Sequence, residues 1–121
     1  MAFIFYNSNP CNKRIGDCVI RAIALAMGIP WINAYTELSI YGLENCDMPS
    51  SNSLWGNFLR EHDFQVFPLV NKTTIKQFSE DNPIGTYILA TGDHVVTVIN
   101  GDYYDTWDSG DEIIAYYFKR A

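Results

Sequence analysis

Residues 12–27 read NKRIGDCVIRAIALAM, and the fold of the chain turns on this stretch. It begins as a polar loop containing Gly16 and becomes a run that is apolar almost all round. Gly16-Asp17 reads as a turn followed by a helix cap, where a carboxylate can accept from the first free N–H groups. From Cys18 to the methionine at 27 only Arg21 is charged, and the alanines favour helix. A helix that is apolar on every side belongs at the centre of a domain. Cys18 falls in its first turn, beside unsatisfied N–H groups and the positive end of the helix dipole, where a thiol can be pushed towards thiolate. Taken alone, Cys18 is a core residue on one stripe with Ala22 and Leu25. A chemical role requires a partner histidine.

Working outward, residues 3–6 form a short strand and 7–16 a loop. The central helix ends at Gly28, a C-cap, and Pro30 opens a second helix over 31–41. Ser50 or Ser51 caps a third helix over 52–61. A strand follows over 64–70, then a short helix to 80, capped by Thr73 or Thr74. Beyond this the period changes to two. Strands are expected over 86–90 and 94–99, the second (HVVTVI) β-branched enough to be central. Asn100-Gly101 is a strong hairpin signal, followed by a return strand over 102–107 and a last strand over 112–119. Helices first and an antiparallel sheet second make an α+β domain, one unit over residues 1–121.

Composition sets limits. The 121 residues are 48% apolar and 15% aromatic, which describes a globular chain with a real core. The net charge of −6 disfavours nonspecific nucleic-acid or anionic-membrane binding, since both want a basic face. No apolar run is long enough to span a membrane, and no secretory signal is evident. Cys11, Cys18 and Cys46 are an odd number without CxxC spacing. That fits free thiols in a cytoplasmic protein better than a disulfide framework or a zinc site. The acidic residues from Asp102 to Glu112 lack EF-hand spacing, so neither metal nor cofactor is expected. His62 ends a helix as a solvated cation. Arg21 pairs with Asp17 four residues back or reaches a rim.

His94 opens the central strand, and a polar tail follows the return strand: Asp105, Thr106, Trp107, Asp108, Ser109. A nucleophilic thiol wants an imidazole within reach, and the imidazole wants a third group to fix its tautomer. Two aspartates compete for that place. A two-residue turn at Asn100-Gly101 pairs Ile99 with Asp102 and puts Asp105 on the His94 face of the sheet. A three-residue turn or a bulge flips the parity and brings Asp108 to the imidazole, and this is the arrangement expected, because Asp108 lies at the strand's end where the chain can bend towards the ring.

These motifs resemble the papain-like cysteine peptidase superfamily. A cysteine opens the central helix, and an amide side chain, Asn12, stands six residues earlier, where that family usually has Gln. DHVVTVI looks like its histidine-bearing strand, and Asp108 follows the return strand, where the family has Asn or Asp. The His-to-acid gap is similar to that of the compact bacteriocin-leader peptidases. The wording NKRIGDCVIRAIALAMG…TYILATGDHVV…YYDTWDSGDE further resembles a group of small proteins from bacteria, phages and mobile elements. The resemblance implies a papain-like fold, with the Cys-bearing helix packed on the C-terminal sheet. It also implies a thiol hydrolase, a peptidase or amidase acting on a peptide or protein. Cys18 would be the nucleophile and His94 the base. Asp108 would orient His94, with Asp105 as the alternative, and Asn12 and the Cys18 N–H would hold the oxyanion. Two other readings use the same residues. One is a binding protein that engages a host partner on this scaffold, favoured by small size, an acidic surface and the Asp17 charge beside the thiol. The other is an acyl transferase or deamidase. The oligomeric state is not readable from the sequence.

Overall fold

A computed structural model describes residues 2–120. The central helix α1 (Cys18–Met27) forms where the apolar run predicts it. It buries Ile20, Ala22, Ile23, Ala24 and Ala26, and also Arg21. Its end is a Schellman motif. Gly28 takes the left-handed conformation at φ 67°, its N–H reaches Leu25 O at 3.2 Å, and Ile29 N–H reaches Ala24 O at 2.9 Å. Asp17 holds the cap position but makes no side-chain cap bond. Its carboxylate is turned to other partners, described below.

Two helices follow, α2 (Trp31–Glu44) and α3 (Asn52–Glu61). The short α4 (Ile75–Asp81) is capped by Thr74, whose hydroxyl accepts from Gln77 N–H. The strands are β1 (Phe3–Phe5), β2 (Phe64–Pro68), β3 (Thr86–Ala90), β4 (Val95–Ile99), β5 (Asp102–Asp105) and β6 (Tyr116–Arg120). They make one six-stranded sheet in the order β1-β5-β4-β3-β6-β2. All neighbours are antiparallel except β1, which lies parallel to β5. The expected antiparallel sheet is therefore mixed. Its outer strands come from the N-terminus and from between α3 and α4, so helices and strands are less segregated along the chain than the period change suggests.

Strand alternation divides the core. Val95, Ile88, Ala90 and Phe118 face α1, α2 and α3, whereas Val96, Val98, Leu89, Tyr87 and Tyr103 pack with Ile75 and Phe78 of α4 on the other side. Thr97 belongs to the first side and its hydroxyl donates to Ala22 O of α1 at 2.9 Å, tying strand to helix in the dry interior. The β4–β5 turn has two residues. Asn100 and Gly101 both carry positive φ, 49° and 83°, and Ile99 pairs with Asp102. Those are the dihedral signs of a type I′ hairpin, whose twist matches that of the flanking strands. No single helix among the described residues is long and apolar enough to cross a membrane.

Candidate active site

Two elements bring the chemistry together. α1 starts at Cys18, and β4, packed along α1, starts one residue after His94. The turn before His94 is tight: Thr91 N–H donates to His94 O at 3.0 Å, and Gly92 sits at φ 116°, a conformation open only to glycine. The result is a half-buried thiol in contact with a half-buried imidazole. Burial pushes the Cys18 thiol up. Hydrogen bonding and charge from His94, the Val95 backbone N–H and the Arg21 charge outweigh it and bring the thiol below its ordinary value.

His94 Nε2 lies 2.6 Å from Asp105 Oδ2. The other ring nitrogen, Nδ1, is the one left for the thiol. Burial alone would lower the imidazole, but the bonds to Asp105 and Cys18 raise it to about 9. The arrangement favours imidazolium at neutral pH and shifts the neighbouring thiol towards thiolate. The Trp107 ring covers the imidazole at 5.2 Å between centroids.

Asp105 is fully buried and accepts four bonds. Oδ2 takes His94 and the Ser109 hydroxyl at 2.7 Å; Oδ1 takes the Thr106 N–H at 2.8 Å and Arg21 Nη1 at 3.2 Å. Burial works against its ionisation. The His94 and Ser109 bonds, the His94 charge and the Thr106 N–H together hold the carboxyl below the usual range. Arg21 continues the chain of charges, its Nε donating to Asp17 Oδ1 at 2.9 Å, while Trp31 Nε1 donates to the other Asp17 oxygen at 3.0 Å. The expected Arg21–Asp17 pair is present, and it accounts for the carboxylate that does not cap α1.

The expected role of Asp108 as the orienter is corrected here. Asp108 is exposed, and its Oδ1 accepts from the Tyr103 hydroxyl at 2.6 Å and the Gly110 N–H at 3.0 Å. The cause is turn parity. With a two-residue turn and an unbroken register from Ile99↔Asp102 to Thr97↔Tyr104, Asp105 comes onto the His94 side and Asp108 lies beyond the end of β5. The place given to Asn12 is corrected as well. Asn12 is exposed in left-handed backbone, φ 58°, its N–H bonded to Asn9 O, and it does not line the cleft at Cys18. The Asn9 carbonyl accepts the Asn12 N–H and the Asn9 side-chain oxygen accepts the Cys11 N–H, so this segment is a turn of its own.

That cleft has a volume of about 670 Å³. Cys18 and Asp17 form one wall, Trp31, Tyr35 and Leu38 of α2 another, and Asp93 and Val95 close the side next to His94. Trp31 and Tyr35 stack at 5.1 Å, giving the cleft an aromatic flank. Cys11 and Cys46 are exposed free thiols outside it. Among the described residues no group of His, Cys, Asp and Glu could hold a metal ion.

Sequence reasoning missed the reach of Arg21 to Asp105, the bond from Trp31 to Asp17 and the bond from Ser109 to Asp105. The available signal was the lone cation in an apolar helix, which needs more than one exposed partner once buried. Comparison with protein-family models, with curated proteins and with solved structures found no match for this chain.

Proposed function

We propose that the chain is a compact thiol hydrolase of papain-like type, a peptidase or amidase, with Cys18 as nucleophile, His94 as acid–base and Asp105 as orienter. One observation carries this reading: a single imidazole bonded to a buried carboxylate at 2.6 Å and set beside a cysteine at a helix N-terminus, at the edge of an open cleft. The Cys18 thiolate attacks the substrate carbonyl. His94 gives its proton to the departing amine, leaving a thioester on Cys18. His94, now neutral, takes a proton from water as the water attacks the thioester, releasing the acid and restoring the thiolate. The Cys18 N–H, in the first turn where the helix offers it no carbonyl, is the oxyanion donor that remains once Asn12 is removed from that role. An acyl transferase or deamidase would share the first half of this sequence and differ in the acceptor or in the amide attacked.

The test is the rate of iodoacetamide alkylation of each cysteine against pH, resolved by mass spectrometry, with turnover of fluorogenic peptide amides alongside. Cys18 is expected to alkylate well below about pH 8, and His94→Ala to remove that advantage. Labelling of Cys18 no faster than the exposed Cys11 and Cys46 would overturn the enzyme reading. The position of Asn12 outside the cleft favours the second reading, a binding protein on the same scaffold, because it leaves the oxyanion one side-chain donor short. An unreactive Cys18 would leave that reading standing.

A further inference from the structure

Arg21 is 6% exposed and sits in the middle of an apolar helix face, so it touches no substrate. A buried cation persists only where anions meet it. Here two do, from opposite sides: Asp17, directly before the nucleophile, and Asp105, directly behind the imidazole. With Cys18 as thiolate and His94 as imidazolium, three negative charges face two positive ones. Without Arg21 three would face one.

We propose that Arg21 is a positioning residue of the site: its guanidinium cancels the Asp17 charge beside the thiol and holds Asp105 as a carboxylate aimed at His94. This rests on the catalytic reading of Cys18 and His94. Its charge is what makes an aspartate next to the nucleophile tolerable. The fork geometry matters too, because Nε and Nη1 address two carboxylates at once, which a lysine ammonium on one flexible stem does less well. The other titratable groups around Arg21 are few. The phenols of Tyr6 and Tyr104 border the small space beside it, and Arg14 lies at the surface, donating to Thr106 O at 3.1 Å. Asp93, next to His94 in sequence, binds the Thr91 hydroxyl at 3.2 Å.

The experiment is the pH profile of Cys18 alkylation by iodoacetamide, with the His94 ring titrated by NMR, in Arg21→Met, Asp17→Asn, the double variant and Arg21→Lys. Arg21→Met is expected to raise the alkylation midpoint by about one pH unit, roughly a tenfold loss of thiolate at fixed pH. Asp17→Asn should lower it, the double variant should return towards the wild type, and Arg21→Lys should fall between. A merely structural arginine would lower the melting temperature in Arg21→Met and leave every midpoint in place, which overturns the proposal. Should Arg21→Met fail to fold, Asp17→Asn decides alone, and a midpoint that rises or stays put overturns it. If wild-type Cys18 labels no faster than Cys11 and Cys46, the catalytic reading falls separately. The His94 titration then decides the electrostatic role of Arg21, which stands if the ring's midpoint rises in Arg21→Met and falls in Asp17→Asn, and fails if it does not move.

Discussion

Asp105 and Asp108 are the same residue type three positions apart, and their surroundings have nothing in common. Asp105 ends β5 in a dry setting, with His94, Arg21, Ser109 and the Thr106 N–H on its two oxygens. Asp108 lies at the surface and braces a turn through Tyr103 and Gly110. A carboxylate that has lost its water must be met by fixed donors, and those donors then hold the imidazole in one orientation. A solvated carboxylate imposes no such order. The contrast teaches that the depth to which the strand carries a residue, more than its distance along the chain from His94, selects the orienter.

The most forceful way to break the contrast is Asp105→Ala. It leaves His94 and Arg21 facing each other in a buried space, so a loss of about 3–5 kcal/mol is expected in urea unfolding. The low-pH alkylation of Cys18 should vanish with it. If Asp108→Ala abolished that reactivity and Asp105→Ala did not, the assignment would be reversed.

The next effect is one of pH. His94 is raised from 6.5 to about 9 in the fold, so its stabilising contribution is complete below pH 6.5 and is lost as pH climbs through about 9. The Cys18 thiol, lowered in the fold, has the opposite sign: its contribution is present above pH 9.0 and is lost as pH falls through the folded value. Cys18→Ala should therefore expose a decline in stability as pH rises above 6.5, measured by denaturant midpoints. That slope should disappear when His94→Gln is added. A flat profile in Cys18→Ala would mean that Asp105 does not hold the imidazolium.

A smaller effect is expected at the turn that sets the parity. Gly101→Val forces a β-branched residue to φ 83° and should cost about 1–3 kcal/mol in thermal or chemical unfolding. An unchanged stability would show that the two-residue turn is not what aligns Asp105. Asp108→Asn is milder, since an amide oxygen can still accept from Tyr103, and the Cys18 alkylation profile should not change. Asn12→Ala, at an exposed loop position, should stay within about 0.5 kcal/mol and leave peptide-amide turnover unchanged. A large loss of turnover in Asn12→Ala would return the amide to the oxyanion.

Much of the architecture was readable because local signals agreed. α1, α3 and β3 lie at their expected bounds, since their apolar positions stop there at a glycine or a charged or polar residue, although neither Asp17 nor Ser51 caps its helix through its side chain. The ends of the β-rich half were less readable. The return strand stops at Asp105 instead of 107, and the last strand begins at Tyr116 instead of 112, because the chain between them leaves the sheet to cover its far face and bond with Thr73 and Lys76. The parallel seat of β1 against β5 has no local signature, since its partner lies a hundred residues away.

By itself the sequence determined that Cys18 would stand at the start of a buried helix and His94 at the start of a central strand. Through Asn100-Gly101 it marked the place of the hairpin but not its length: the expected three-residue turn or bulge gave way to a two-residue turn. Each of these is a choice among backbone conformations made by a few neighbouring residues. Only the tertiary structure decided which aspartate reaches the imidazole, where Arg21 finds its second anion, and that Asn12 stays outside the cleft. Those outcomes are distances between segments far apart in the chain. A buried charge takes whichever partners packing brings within about 3 Å, and no local propensity encodes that meeting.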